Sequence, residues 1–236
     1  MPPLPRRDLR NLVCMLGADS RPAQKTQALA TPAKLLRDCN GDAGSLGAIA
    51  AAGAIPPLVQ LLGSGVSAGV QGNAAAALCS LSQNAANTVA IIAPGSIPPL
   101  VKLLGPGSSA HVQEMAAGAL MNLARSNAGN RAAIAAAGAI PPLVQLLGPG
   151  ASDEVQEMAA GVLTNLAMNA DNRVAIAAAG AIPPLVQMLG RGASAAVQEM
   201  AAGALRNLAH SDADSRVAIA AAGAIPLLVQ LHSKEL

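Results

Sequence analysis

The 236-residue chain has no phenylalanine, tyrosine or tryptophan. Without aromatic rings it has no platform for stacking single-stranded bases and no cage for a quaternary ammonium group. Charge is scarce too: Asp, Glu, Lys and Arg make up 12% of residues, and the net charge is +2. That balance gives no electrostatic footprint for a duplex, so no nucleic-acid partner is expected. Cysteine occurs only at Cys14, Cys39 and Cys79. An odd count with no C-x-x-C pair fits thiols in a reducing compartment, and a cytoplasmic setting is expected, with the nucleus as the second reading. Every apolar run is interrupted by Gly, Pro, Asn or a charge before the roughly 18 residues of a membrane span, so no membrane insertion is expected. The charged start, Met1 to Arg7, is followed by no apolar run of the secretory type. The closing Ser233-Lys234-Glu235-Leu236 is neither of the tail signals it loosely resembles.

What the chain has instead is 55 alanines, 23 glycines and 17 prolines, with 52% of residues apolar. That much apolar content argues against disorder. The residues also recur in order. Ala-Gly-Ala-Ile-Pro-Pro-Leu-Val-Gln-Leu-Leu-Gly returns with variations, its first glycine at Gly53, Gly95, Gly138, Gly180 and Gly223, 42 or 43 residues apart. Val-Gln-Glu-Met-Ala-Ala-Gly-x-Leu-x-Asn-Leu-Ala starts at Val112, Val155 and Val197, with a looser copy from Val70. Register this strict identifies a stack of units, none of which can bury its apolar face alone.

Each unit reads as three helices. The first is short, with Asn87, Asn130, Asn172 and Ser215 as expected N-caps and Gly180 and its equivalents closing it. The second opens on a proline pair, such as Pro183-Pro184, where the first turn needs no N–H. The third is longest, capped by Ser67, Ser109, Ser152 and Ser194. Val155, Ala159, Val162, Leu163 and Leu166 share one face of it. The expected organisation is an irregular capping unit over 1–43 and an array over 44–236, with units at about 44–86, 87–129, 130–171 and 172–214 and a partial unit at 215–236. The capping unit echoes the second helix at Leu12 to Gly17 and carries a degenerate third helix around 23–37, broken near Pro32. The partial unit ends after its second helix, which leaves apolar surface uncovered. Two readings of that end are a fragment of a longer array and an end that pairs with a partner, end-to-end self-association included.

These motifs resemble armadillo repeats, in the flavour of plant, algal and fungal arrays of the U-box-associated or vacuolar-scaffold type. The resemblance implies an all-α, right-handed solenoid whose third helices line a concave groove that binds a protein or an extended peptide. It also implies that an asparagine near the end of each third helix bonds the peptide backbone. The matching residues are Asn122, Asn165 and Asn207, with the shorter Ser80 in the first full unit. An amide donates and accepts, so a row of amides pairs an extended backbone without reading its sequence. The alternative use of these amides is structural, bonding a neighbouring unit. Four residues earlier, where relatives that bind basic signals carry tryptophan, stand Ala76, Gly118, Gly161 and Gly203. Seven earlier, where acids are common, stand Asn73, Met115, Met158 and Met200. The expected groove is shallow, nearly uncharged and lined by Met115, Met158 and Met200, whose flexible thioethers suit adaptable contact. The mid-helix glycines Gly118, Gly161 and Gly203 are expected to mark close helix packing.

No catalytic constellation stands out. His111, His210 and His232 lie in different units without a second ligand at helical spacing, so no metal is expected. Gly105-Pro106-Gly107 and Gly148-Pro149-Gly150 lack the ending of a phosphate loop and read as turns. Arg131, Arg173 and Arg216 recur one residue after the expected caps and read as a solvated edge or inter-unit pairs. Glu114, Glu157 and Glu199 read as a solvated face. The expected function is a non-enzymatic interaction scaffold without cofactor. The alternatives are the substrate-recognition part of a ubiquitin ligase, which would need a further domain, and a nuclear import adaptor, which the missing tryptophans and acids disfavour.

Overall fold

The computed structural model describes residues 43–190, 192–210 and 213–232. The irregular unit expected over 1–43 lies outside them apart from Ala43. Every regular element described is a helix. They fall into two compact units divided after Ser126. The first holds α1 (Ala43–Ala51), α2 (Ile55–Gln60), α3 (Ala68–Ser82), α4 (Ala85–Ile92), α5 (Ile97–Leu103) and α6 (Ala110–Ser126). The second holds α7 (Ala128–Ala136), α8 (Ile140–Leu146), α9 (Asp153–Leu166), α10 (Ala170–Ala178), α11 (Ile182–Met188), α12 (Ala195–Ala209), α13 (Ala213–Ala221) and α14 (Ala224–His232). The cycle of short, shorter and long helices is the one the repeats predict. No single helix described is long and apolar enough to cross a membrane.

Glycine ends the first helix of each repeat as expected. Gly138 and Gly180 have φ of +80° and +79°, a left-handed conformation that only glycine adopts without strain. The chain then folds back through two hydrogen bonds: Gly180 N–H donates to the Ala177 carbonyl and Ala181 N–H to the Ile176 carbonyl. Two residues later the proline pair sits in the first turn of the second helix. These second helices have only six or seven residues, too few to hold themselves in water. A glutamine of the next helix secures each one. Gln71, Gln113, Gln156 and Gln198 direct Nε2 at two carbonyls in the turn just past its end, for example Gly63 at 2.8 Å and Gly148 at 2.8 Å. The turn that follows each second helix is thereby tied to the next long helix.

The caps of the first helices differ from the expectation. Asn84, Asn127 and Asn169 cap α4, α7 and α10, three residues earlier than the asparagines expected there. Asn87, Asn130, Asn172 and Ser215 lie inside the helices and are buried. Two asparagines stand three apart at each start, and the outer one meets the helix N–H groups: Asn127 Oδ1 accepts from Asn130 N–H at 2.8 Å. The inner one is then available for tertiary bonds. Asn87 Nδ2 donates to the Leu81 carbonyl at the end of α3 and to the Leu46 carbonyl of α1. Asn172 Nδ2 repeats this with Leu166 and Arg131. At the third helices, Ser109, Ser152 and Ser194 accept N–H bonds as caps, whereas Ser67 makes no cap bond.

Without rings, the core is leucine, isoleucine, valine and alanine. Leu78, Leu81 and Leu120 in the first unit and Leu163, Leu185 and Leu208 in the second are sealed from solvent, each contributing about 1.5–3 kcal/mol by burial. The face marked by Val155, Ala159, Val162, Leu163 and Leu166 is buried throughout. Alanines fill the seams between long helices, as at Ala74, Ala116 and Ala117. The α3–α6 seam is tight enough that a methyl on Gly72 would come within 3.0 Å of Val112 Cγ2. One polar group is out of place here: Ser96 Oγ is buried without a partner, at a position held elsewhere by Ala54, Ala139, Ala181 and Ala224. An unpaired buried hydroxyl is destabilising. Ser96→Ala is therefore expected to stabilise the fold by about 1 kcal/mol, read as a higher urea midpoint; an unchanged or lower midpoint refutes the assignment.

Candidate functional site

The third helices carry the residues marked for binding, and each unit places its own. In the first unit Asn122 projects from α6 toward α3. Its Nδ2 donates to the Cys79 carbonyl at 3.3 Å and to Ser82 Oγ at 3.1 Å, and the residue is buried. Ser80, one helix earlier, donates its hydroxyl back to the Ala76 carbonyl of its own helix. In the second unit Asn207 projects from α12 toward α9 and donates to the Thr164 carbonyl at 2.9 Å. The two bonds are equivalent: each reaches back 43 residues to the preceding third helix. Asn165 holds the same register on α9 and, like Asn207, is half-buried. The structural use anticipated for these amides is thus realised at Asn122 and Asn207.

Their accessibility differs. Asn122 commits Nδ2 to two acceptors and is closed from solvent. Asn207 directs its amide nitrogen at one carbonyl, and as a half-buried amide it retains a second N–H and an acceptor oxygen. Thr164 strengthens the α9–α12 seam, its hydroxyl lying 2.8 Å from the Ala160 carbonyl and 3.1 Å from the Met200 carbonyl. At Gly203 a methyl would meet Thr164 Cγ2 at 3.4 Å, an ordinary contact distance, so the close helix packing expected there does not by itself demand a glycine. Met115, Met158 and Met200 are all half-buried.

Sequence reasoning missed two further sets of residues. The glutamines Gln71, Gln113, Gln156 and Gln198 stood in the quoted motif without a role; recurrence at one register was their only signal. The arginines have a use that was not anticipated: Arg173 and Arg216 each donate Nη1 at 3.1 Å to carbonyls at the ends of α9 and α12, Ala167 and Ala209. A cation there complements the helix dipole as well as meeting an orphan carbonyl.

No group of three or more His, Cys, Asp or Glu side chains that could hold a metal occurs among the described residues. Cys79 is a free thiol. Burial, with a smaller contribution from Glu114, pushes its pKa up to about 11. A thiol so far from ionisation is a poor nucleophile.

The family model for the armadillo/β-catenin-like repeat matches residues 46–83, 84–125, 127–168 and 169–210. The chain belongs to this family. Its structure is also similar to solved designed proteins. One designed armadillo repeat protein is 32% identical, with a TM-score of 0.84 over 95% of this chain and 92% of that one. Another, from computationally designed armadillo repeat proteins for modular peptide recognition, is 32% identical, with a TM-score of 0.82 over 95% and 92%. A third, in complex with the peptide (KR)4, is 31% identical, with a TM-score of 0.81 over 96% and 92%. No curated protein matches the chain.

Two outcomes follow. Asn122→Ala is expected to cost about 1–2 kcal/mol through the loss of inter-helix bonds, seen as a lower melting midpoint; an unchanged midpoint would show those bonds to be idle. In a Cys14→Ser, Cys39→Ser background, Cys79 is expected to react slowly with a disulfide reagent at pH 8, where about one part in a thousand is thiolate. The rate should climb toward pH 11. Because folding raises this pKa, the stability that the neutral thiol contributes is present below its unfolded pKa and is lost as pH rises toward 11.

Proposed function

We propose that the chain is a non-enzymatic protein–protein interaction scaffold that holds an extended peptide or partner protein along its third helices. The observation that carries this reading is the half-buried amide of Asn207, anchored by one bond to Thr164 and able to offer the rest of its valence to a peptide backbone. Asn165, at the same register on α9, is the neighbouring rung. A rung fixed by its own scaffold loses little entropy on binding. Asn122 serves the seam rather than the ligand. Family membership supports the reading, as do similar designed proteins made for peptide recognition.

The peptide preference differs from that of the designed protein in complex with (KR)4. Gly118, Gly161 and Gly203 provide no ring for a cation, and Met115, Met158 and Met200 provide no carboxylate. The expected ligand is neutral and partly apolar, with micromolar affinity, since aromatic and arginine anchors are missing. The reading includes no nucleic acid, no membrane insertion and no cofactor, and a cytoplasmic setting with the nucleus second.

Binding is tested by fluorescence anisotropy with unstructured peptides graded from neutral and apolar to (KR)4. Neutral peptides are expected to bind, and Asn207→Ala to weaken them about fivefold, the effect of one hydrogen bond. If Asn165→Ala and Asn207→Ala lower the melting midpoint and leave anisotropy unchanged, the amides are inter-repeat ties only and the reading fails. Tight, salt-sensitive binding of (KR)4 would instead direct attention to Glu157 and Glu199.

A further inference from the structure

The turn that leaves α9 is held by hydrogen bonds at each residue. Met168 N–H donates to the Asn165 carbonyl at 3.2 Å and Asn169 N–H to the Leu166 carbonyl at 3.1 Å. Asn172 Nδ2 bonds the Leu166 carbonyl and Arg173 Nη1 the Ala167 carbonyl, each at 3.1 Å. Asn169 Oδ1 accepts from the first N–H groups of α10. The backbone on both sides of Met168 is thus fixed, yet the Met168 side chain is 59% exposed. It is the one exposed methionine among the described residues. The bond to Asn165 sets its place. An i to i+3 bond is that of a 3₁₀ turn, in which side chains three apart eclipse. Met168 therefore stands over Asn165, about 6 Å further along the axis. Met158, two helical turns before Asn165, lies on the same face. At this register the other repeats hold Gln83, Arg125 and His210, polar and exposed. His210 N–H donates to the Asn207 carbonyl at 3.3 Å, so His210 stands over Asn207 as Met168 does over Asn165. An apolar side chain at this register is peculiar to the end of α9 among the described repeats.

We propose that Met168 determines specificity in the peptide groove: it contacts an apolar side chain of a bound extended peptide at the Asn165 rung and so sets the peptide's register. The inference rests on the extended-peptide reading above. A row of amides holds a backbone equally well after the peptide slides by one rung, since it reads no side chain. An extended chain points alternate side chains to opposite sides. Lying across α9 and α12, it turns one set toward Met158 and Met200 and the other toward Met168 and His210. Methionine recurs on the first side, which cannot tell the rungs apart. On the second side the rungs differ, a thioether at one and an imidazole at the other, so an apolar residue of the peptide is best buried at Asn165. Met168 suits the task because its backbone is already ordered while its unbranched side chain adapts to leucine, methionine or a ring. The chain has no ring of its own, so the peptide would complete any sulfur–aromatic contact.

The test is fluorescence anisotropy on the full chain with labelled ten-residue peptides of threonine and asparagine that carry one central guest, alanine, leucine or lysine. Wild type is expected to bind the leucine peptide about fivefold more tightly than the alanine peptide, the effect of partly burying its three extra carbons. Met168→Gln should remove most of that preference, Met168→Leu should keep it, and Met168→Glu should transfer it to the lysine peptide. The side chain is exposed, so all three variants should melt near wild type. The proposal is overturned if wild type does not distinguish leucine from alanine, or if Met168→Gln and Met168→Glu leave the leucine preference unchanged. In either case the extended-peptide reading survives where Asn207→Ala still weakens binding. Absence of binding by every neutral peptide overturns both.

Discussion

Carbonyls at the C-terminal ends of the second and third helices are met by side chains from another helix as well as by the chain's own N–H groups, and much of the architecture follows from how that is done. A six-residue helix opened by prolines has few bonds of its own, and the carbonyls of the turn after it lie within reach of the next long helix. Gln71, Gln113, Gln156 and Gln198 close those ends. Asn87 and Asn172 close the ends of α3 and α9 and also bind the preceding first helix. Arg173 and Arg216 add a charge-assisted bond at the ends of α9 and α12. Aliphatic packing supplies most of the stabilisation, but it is non-directional. Among surfaces of alanine and leucine it would tolerate helices sliding past one another. The amides and guanidinium groups remove that freedom, because each is satisfied in one register only.

The absence of aromatic residues gains its meaning from this arrangement. Ring systems fix helix positions through large, shaped contacts. Here the seams are filled by alanine, and at Gly72 and Gly203 by no side chain at all. Closely apposed backbones put carbonyls of one long helix within reach of short amides on the next. Asn122 and Asn207 reach Cys79 and Thr164 for that reason. Small residues and inter-helix amides are two aspects of one solution.

Much of the fold could be read from the chain. Turn glycines, proline pairs and serine caps act within a few residues, so local pattern exposes them, and the 42- or 43-residue period exposes the stack. What stayed hidden has its partner far away. Asn87 was assigned to a cap because its local surroundings suit one. Its actual partner, the Leu46 carbonyl, lies 41 residues back. Nothing local distinguishes the outer asparagine of each pair, which caps, from the inner one, which ties repeats together. The glutamines were invisible for the same reason. The site was legible as a register, Asn122, Asn165 and Asn207, but not as a division of labour, since that depends on how far each amide is buried and how many acceptors surround it.

That division bears on how a scaffold with the proposed function could change its ligand without losing its fold. Asn122 is sealed and doubly bonded, so its loss is felt first as stability. Asn207 keeps one bond to the scaffold while remaining half-exposed, so it can hold its orientation and still present polar atoms outward. An amide used only for binding would have to be ordered when the ligand arrives, whereas one already tethered is preorganised. The tether also constrains substitution: a replacement for Asn207 that keeps the seam has to satisfy the Thr164 carbonyl. Met115, Met158 and Met200 carry no hydrogen-bonding obligation of this kind. On the proposed reading, specificity is therefore freer to vary at the methionine positions than at the amides.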